Sequence, residues 1–251
     1  MSEILRAEHI KKSYGEKRVL GDISVTLNKG ELVCILGVSG VGKTTLFNVL
    51  SGLVKPDEGQ VLLYKDGTDS VSDITGATGN LSYMLQKDML LPHKTVLDNV
   101  ALPLILRGVS KKKAREEAGQ HFAQFGLEGT EKKYPTQLSG GMRQRAALLR
   151  TYLCGKEVAL LDEPFSALDT LTRTSIHDWY LKVMDDIKLS TLFITHDIEE
   201  AILLSDRIYI MKDSPARITS ELVIKEEKPR SQEFTLTEEF LSYKKQIKEL
   251  L

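Results

Sequence analysis

Short apolar runs separated by helical patterns dominate the chain and predict an α/β fold. The runs at 32–36, 158–162, 191–195 and 207–211 have the length of strands, and 81–85 is a shorter candidate. Continuously apolar strands, as opposed to alternating ones, are typical of a parallel sheet that is covered on both faces. We therefore expect ligands to bind at the carboxyl ends of these strands.

Two further regions complete the predicted architecture. Segments 4–28 and 59–64 alternate apolar and polar residues and contain turn signals, which favours a small antiparallel β layer. From about 95 to 153 the apolar residues recur at helical spacing, which predicts a helical subdomain inserted into the α/β core. Near the end of the chain, Thr235 and Glu238 have the spacing of a capping box and predict the start of a last helix.

The composition is that of an ordinary globular protein. Of its 251 residues, 41% are hydrophobic and 27% are charged, and 34 basic residues against 35 acidic ones leave a net charge of −1. This balance disfavours a protein that coats nucleic acids. Cys34 and Cys154 lie in apolar stretches, which indicates reduced thiols. A length of 251 residues allows one or two domains, and because α/β folds of this size often form one, we expect residues 1–251 to form a single domain. We find neither a secretory signal nor 18 consecutive apolar residues, so we expect that this chain does not itself span a membrane.

The residues after the first fully apolar strand have the pattern of a phosphate-binding loop. They read GVSGVGKTT, which fits G-x-x-x-x-G-K-[ST] between a strand and a helix. Glycines let backbone N–H groups converge on phosphate oxygens, and the helix start adds its positive dipole. Lys43 can reach the β- and γ-phosphates, and the Thr44 hydroxyl can ligate Mg²⁺. The predicted phosphate-binding residues are Gly37, Val38, Ser39, Gly40, Val41, Gly42, Lys43, Thr44 and Thr45.

Two acidic residues follow the strand at 158–162 and predict a hydrolytic centre. Asp162, at the carboxyl end of a parallel strand beside a phosphate loop, can hold the hydration shell of Mg²⁺. Glu163 can polarise an attacking water molecule. Without the phosphate loop, two such carboxylates would more often only cap the next helix.

A second exposed helix start is predicted at LSGGMRQR, residues 138–145. Ser139 can cap the helix, and Gly140 and Gly141 leave backbone N–H groups accessible to an anion. From the residues alone, this segment is equally compatible with an ordinary capped helix.

These motifs occur in the order and at the spacing found in the ATP-binding cassette (ABC) ATPases, which the chain resembles over nearly its whole length. The resemblance is carried by the phosphate loop, Gln86, the LSGG segment, the acidic pair, SALD at 166–169 and THD at 195–197. It implies a P-loop NTPase core with a mostly parallel sheet, ATP and Mg²⁺ as cofactors, and ATP hydrolysis as the activity.

The resemblance also implies a role for individual residues. Glu163, His196 and Gln86 would be catalytic, with His196 contacting the γ-phosphate and Gln86 contacting both Mg²⁺ and the attacking water. Tyr14 would stack on adenine, and Asp169 would lie at a dimer interface.

Further assignments concern the metal and a second subunit. Mg²⁺ would be held by Thr44, Gln86 and Asp162. The signature residues Ser139, Gly140 and Gly141 would contact ATP bound to the other subunit. Met142 stands where many family members have Gln, which puts a nucleotide contact by this side chain in doubt.

Among the functions open to such a protein, the sequence favours a transport motor. A nucleic-acid-handling ABC ATPase would need a long coiled coil between the phosphate loop and the signature, and no sustained heptads occur there. A GTPase or small-molecule kinase is disfavoured because the guanine-reading N-K-x-D motif is absent. The resemblance thus implies two copies, or a pseudo-dimer, that sandwich two MgATP, drive a membrane permease and bind no nucleic acid.

Individual stretches of the sequence resemble the ATPases of bacterial importers. Residues 84–104 and 195–211 are most similar to the nitrate, sulfonate and taurine uptake group, so the solute would be a small anion. An importer of a vitamin or its precursor, such as a pyrimidine or riboflavin, is the alternative, followed by a soluble non-transport ATPase. The subunit would lie peripherally at the cytoplasmic face of the cell membrane and reach a solute-binding protein only through the permease. Met89 and Leu90 would contact the permease, unless Leu90 and Leu91 pack inside.

Overall fold

The computed structural model describes residues 2–65, 70–165, 179–184, 186–230 and 232–251, and its strands form a mixed β-sheet. Within this part of the chain the sheet has ten strands in the order β5-β4-β1-β2-β10-β9-β3-β8-β7-β6. The strands are β1 (Glu3–Tyr14), β2 (Lys17–Asn28), β3 (Leu32–Leu36), β4 (Glu58–Tyr64), β5 (Val71–Asp73), β6 (Ser82–Met84), β7 (Val158–Asp162), β8 (Ser190–Thr195), β9 (Arg207–Lys212) and β10 (Ala216–Val223).

The predicted parallel strands are confirmed. Strands β9, β3, β8, β7 and β6 are neighbours in that order and all run parallel. Every residue of β3, β7 and β8 is buried, as continuously apolar strands require when helices cover both faces. In register, Leu36 lies opposite Thr195, and Asp162 lies opposite Ile194. The parallel strands therefore end together, at one edge of the sheet.

The predicted antiparallel layer is also confirmed, and it is continuous with the parallel half. Strand β1 pairs antiparallel with β2 and β4, and β4 pairs with β5. Strand β10 joins the halves because it pairs antiparallel with β9 and parallel with β2. The sequence analysis did not identify β10, which is polar and alternately exposed and so lacks an apolar run.

Helices cover the two faces of the sheet. Those with bounds inside the described residues are α1 (Lys43–Leu50), α2 (Val96–Val100), α3 (Leu102–Leu106), α4 (Lys111–Gln120), α5 (Gly140–Tyr152), α6 (Ile198–Leu204) and α7 (Glu238–Leu250), with short 3₁₀ helices at Pro135–Gln137 and Gln232–Leu236. The described residues 179–184 and 186–187 are helical as well. On β3, Val33 and Ile35 face the apolar cluster that contains α1, whereas Leu32, Cys34 and Leu36 face the cluster that contains α2–α7. This alternation is the two-residue period of a strand buried on both faces.

The region 95–153 is helical, as predicted. The apolar side chains of α2, α4 and α5 join the same buried cluster as one face of the sheet, so the helices pack onto the core that carries the strand ends. The division of the chain into a core and a helical signature subdomain remains a prediction.

The last helix begins two residues later than the capping-box spacing predicted. Thr235 lies inside the 3₁₀ helix, and the cap of α7 is Thr237, whose Oγ1 accepts a hydrogen bond from the Phe240 backbone N–H at 3.3 Å. Phe240 and Ile247 are buried, so α7 packs one apolar face onto the core. No helix in the described ranges is both long enough and apolar enough to cross a bilayer.

Candidate active site

The phosphate loop connects β3 to α1, and its glycines are required by geometry. A Cβ on Gly37 would lie 2.4 Å from the carbonyl oxygen of Met211, which no side chain can tolerate. Gly42 caps α1 with a φ of +122°, a conformation that is strained for other residues. Val38, Ser39 and Gly40 are exposed. The loop is therefore compact, solvent-accessible and placed at the start of a helix, as phosphate binding requires.

Lys43 is held inside this loop. Its side chain is only 5% exposed, and its ammonium donates hydrogen bonds to the carbonyl oxygens of Gly37 at 2.7 Å and Val38 at 3.1 Å. Burial lowers the pKa of Lys43, and the carboxylates of Glu163 and Asp162 oppose this effect. The ammonium lies 4.0 Å from Glu163 Oε1, so the cation bridges the loop and the acidic pair.

Asp162 lies beside the first turn of α1. Its Oδ2 accepts hydrogen bonds from the hydroxyls of Thr44 at 3.0 Å and Tyr83 at 3.4 Å. Burial raises the pKa of Asp162, the hydrogen bond from Thr44 opposes the rise, and the charge of Glu163 adds to it. The sequence analysis missed Tyr83, because a single aromatic residue in a short strand gives no signal of a polar contact.

The oxygen donors at this point suit Mg²⁺. The Thr44 hydroxyl and the Asp162 carboxylate are adjacent, and both are hard ligands that Mg²⁺ prefers. The described residues contain no group of three or more His, Cys, Asp or Glu side chains that would hold a metal by themselves. This donor set therefore fits a cation that takes its remaining ligands from phosphate oxygens and water.

Glu163 is the point at which three predicted catalytic residues meet. Its Oε2 accepts a hydrogen bond from Gln86 Nε2 at 3.0 Å, and its Oε1 lies 3.4 Å from His196 Nδ1. The backbone of Glu163 is left-handed, with a φ of +44°, and its N–H donates to the carbonyl oxygen of Ile194. Such strain is maintained only where the surrounding structure fixes the residue.

A buried carboxylate, that of Glu200, anchors Thr195, the residue directly before His196. The Thr195 hydroxyl donates to Glu200 Oε2 at 2.6 Å and accepts from the Asp197 backbone N–H at 3.0 Å. The side chain of Asp197 in turn caps α6. Glu200 is 3% exposed, and the sequence analysis missed it because nothing in a helical Glu-Glu pair indicates burial.

The other predicted residues are Tyr14, the signature residues and Asp169. Tyr14 ends β1 and is 50% exposed, which leaves its ring accessible. Ser139 caps α5 by accepting a hydrogen bond from the Met142 backbone N–H at 3.2 Å, whereas the side chain of Met142 packs against the core. Asp169 and the rest of the SALD segment lie outside the described residues.

Comparison with known proteins gives a consistent result. A model of the family described as ABC transporter matches residues 20–166. The formylaminopyrimidine import ATP-binding protein ThiZ of Halalkalibacterium halodurans is 41% identical over 254 residues, which cover 100% of this chain and 97% of ThiZ. The taurine import ATP-binding protein TauB of Escherichia coli is 41% identical over 219 residues, which cover 87% of this chain and 84% of TauB.

A similar solved structure is that of a dimeric ATP-binding cassette in a post-hydrolysis state, bound to ADP and phosphate. It superposes with a TM-score of 0.74 at 29% sequence identity, and the match covers 89% of this chain and 100% of the cassette. The predicted fold class is thereby confirmed.

Proposed function

Since the chain belongs to the ABC transporter family, we propose that it is the ATP-hydrolysing motor subunit of a bacterial importer. The observation that carries this proposal is the convergence of Gln86, Glu163 and His196 beside the ammonium of Lys43. This cluster forms at the shared carboxyl edge of the parallel strands, directly next to the phosphate loop. Direct tests are the substitutions of Lys43 and Glu163 described in the Discussion.

We propose a role for each residue of the cluster and for Tyr14. Lys43 and the N–H groups of the loop would neutralise the phosphates of ATP. Glu163, held by Gln86 and His196, would orient the attacking water and accept its proton. Mg²⁺, held through Thr44, Asp162 and Gln86, would supply charge neutralisation at the β- and γ-phosphates. Tyr14 would stack on adenine.

We assign the signature to a composite site between two copies of the chain. No hydrogen bond or ion pair within the described residues joins Ser139, Gly140 or Gly141 to the phosphate loop. The exposed start of α5 would therefore contact the ATP bound to the partner subunit, with Asp169 at the same interface. The similarity to a dimeric cassette supports this arrangement.

Mixing two inactive variants tests the composite site. Lys43→Ala removes the phosphate-binding cation, and Ser139→Arg places a bulky side chain at the signature. A heterodimer of these chains has one doubly defective site and one intact site. We therefore expect partial recovery of ATP hydrolysis on mixing, measured as phosphate release. Each variant measured alone is the control. The absence of recovery in proven heterodimers would contradict independent composite sites.

The solute is proposed by relation to other importers. A small anion such as nitrate, sulfonate or taurine agrees with the similarity to TauB. The alternative solute, a pyrimidine vitamin precursor, agrees with the similarity to ThiZ, which like TauB is 41% identical to this chain. Mass spectrometry of the solute retained by the binding protein of the intact complex would distinguish the two.

A permease at the cytoplasmic face of the membrane is the proposed partner, and Met89 is the proposed contact. Met89 is 57% exposed, whereas Leu90 is 7% exposed and packs in the core cluster. Of the two interpretations that the sequence left open for Leu90, its burial agrees with packing inside the core and contradicts a contact with the permease. The solute-binding protein would be reached only through the permease.

Replacement of Met89 tests this surface. Met89→Asp places a charge in an apolar contact, so we expect permease binding to weaken by ~10-fold or more while ATP affinity is retained. Copurification with the permease and solute uptake are the measurements. Leu236→Asp is the matched control, because Leu236 is 84% exposed but far from Gln86 in sequence. Equal effects of the two substitutions would place the permease contact elsewhere.

A further inference from the structure

A lysine covers one face of the Tyr14 ring. Tyr14 ends β1, and its side chain is 50% exposed. The ammonium of Lys12, two residues earlier on the same strand, lies over this ring at 5.7 Å from its centroid. A cation in this position is attracted by the negative charge of the π system. Because the cation occupies one face, a planar ligand has the opposite face of the ring to stack on.

Lys12 is itself held in place by Asp57. Its side chain is only 16% exposed, and its ammonium donates a hydrogen bond to Asp57 Oδ1 at 2.8 Å. The second carboxylate oxygen of Asp57 accepts the Ser13 backbone N–H at 2.6 Å, and the Asp57 N–H donates to the carbonyl oxygen of Lys11 at 2.9 Å. The hydrogen bonds from Lys12 and Ser13 hold the pKa of the Asp57 carboxyl below its usual range. Asp57 thus fixes the three residues directly before Tyr14.

The position of Asp57 is coupled to the phosphate loop through the chain. Asp57 lies in the segment that connects α1, the helix that begins in the phosphate loop, to β4. This segment starts against α1, because the Val54 backbone N–H donates to the carbonyl oxygen of Asn48 at 2.9 Å, and it ends where β4 joins β1. The element that begins at the phosphates therefore leads to the carboxylate that holds Lys12.

The hairpin of β1 and β2 also packs against the phosphate loop. A Cβ on Gly42 would lie 3.2 Å from Val19 Cγ1 and 3.3 Å from Leu20 Cδ2. Leu20 is the β2 partner of Lys12, and Tyr14 lies closer to the hairpin turn. The end of the hairpin that carries the aromatic ring is therefore next to the loop that is proposed to hold the phosphates.

We propose that Lys12 and Asp57 are positioning residues for nucleotide binding, in which Asp57 holds Lys12 against one face of the Tyr14 ring and so presents the opposite face to adenine. The inference rests on the proposed function, in which Tyr14 stacks on adenine. A side chain that is already held in its bound conformation loses less freedom when the ligand binds. Lys12 and Asp57 thereby raise the affinity for the base without touching the nucleotide.

Ligands with and without a base separate this role from a general electrostatic effect. Lys12→Met removes the cation and keeps an unbranched side chain. We expect it to weaken the binding of MgADP by ~3-fold to 10-fold and that of magnesium pyrophosphate, which has no adenine, by less than ~2-fold. Isothermal titration calorimetry measures both affinities. Lys11→Met is the matched control, because it removes the neighbouring cation, which is paired with Glu58 at 2.5 Å, and it should leave both affinities within ~2-fold.

Further variants show whether the lysine acts through the ring. In a Tyr14→Ala chain, Lys12→Met should change the affinity for MgADP by less than ~2-fold, because two residues that act on the same contact are not additive. Lys12→Arg keeps a cation that can bind a carboxylate and lie over an aromatic ring, so it should restore the affinity to within ~2-fold of the unmodified chain. Asp57→Asn should weaken MgADP and spare pyrophosphate, as Lys12→Met does. Thermal melting identifies any variant that does not fold, and Lys12→Gln then replaces Lys12→Met.

A measurement without nucleotide tests the contact itself. In a chain with ¹³C-labelled lysine, the ring current of Tyr14 should move the nuclear magnetic resonance signals of the Lys12 methylene groups upfield. The signals are assigned by their loss in Lys12→Met. Tyr14→Leu should abolish the upfield shift and leave the Lys11 signals in place.

Four results would overturn the proposal. They are the absence of the upfield shift, equal MgADP affinities in Lys12→Met and the unmodified chain, equal weakening of MgADP and pyrophosphate, and an effect of Lys12→Met that persists in the Tyr14→Ala chain. A chain that shows the upfield shift but binds neither MgADP nor pyrophosphate would contradict the proposed function, while the contact between Lys12 and the ring would stand.

Discussion

Lys43→Ala is expected to lower ATP hydrolysis by ~100-fold or more while the chain remains folded. The ammonium of Lys43 is buried in the phosphate loop, 4.0 Å from Glu163 Oε1. Its loss removes the charge that would neutralise the transferring phosphate. The fold should persist because alanine favours the helix and the carbonyl oxygens of Gly37 and Val38 can bond to water.

Phosphate release and thermal melting measure this result. Lys112→Ala is the matched control, because Lys112 is exposed on α4 and far from the site in sequence. Hydrolysis by Lys43→Ala within about twofold of the unmodified chain would exclude the assigned role. A variant that fails to melt cooperatively would be replaced by Lys43→Met, which keeps the volume of the side chain without its charge.

Glu163→Gln is expected to bind MgATP but to hydrolyse it at least ~100-fold more slowly. The amide keeps the shape and the contact with Gln86 or His196 but cannot accept a proton from water. Burial lowers the pKa of Lys43, and the carboxylates of Glu163 and Asp162 raise it. In Glu163→Gln, the Asp162 carboxylate still favours the protonated form of Lys43. The change therefore acts on the chemical step and leaves nucleotide binding in place.

Single-turnover hydrolysis and nucleotide binding should be measured on the same preparation. Glu157→Gln is the control, since Glu157 is exposed just before β7 and forms no ion pair in the described structure. Retained turnover in Glu163→Gln would transfer the role of base to another group, and His196 is the nearest candidate at 3.4 Å.

The sequence predicts those features that are coded locally. The phosphate loop could be located because Gly37 and Gly42 meet steric demands that few other residues satisfy. The parallel strands could be located because burial on both faces requires a continuous apolar run. Glu163, Gln86 and His196 were grouped through a family resemblance, and the structure brings them within hydrogen-bonding reach.

Features that leave no recognisable pattern in their own segment were missed. Strand β10 has no apolar run, and it is a strand because both β9 and β2 pair with it. Glu200 is a buried carboxylate only because Thr195 donates to it across the turn into α6. Thr237, and not Thr235, caps the last helix because an intervening 3₁₀ turn shifts the helix start. In each case the surrounding structure decides the outcome, and the residue pattern of the segment alone does not reveal it.

In the proposed function, the site is half of a composite ATPase centre that a second copy of the chain completes. Its most direct test is the mass of Glu163→Gln in solution, measured by light scattering with and without MgATP. Without nucleotide we expect the single-chain mass of 28.1 kDa, and with MgATP about twice that value, because unhydrolysed ATP remains between the two copies. Adding Ser139→Arg should restore the single-chain mass. A Glu163→Gln chain that binds MgATP and keeps the mass of one chain would contradict the account.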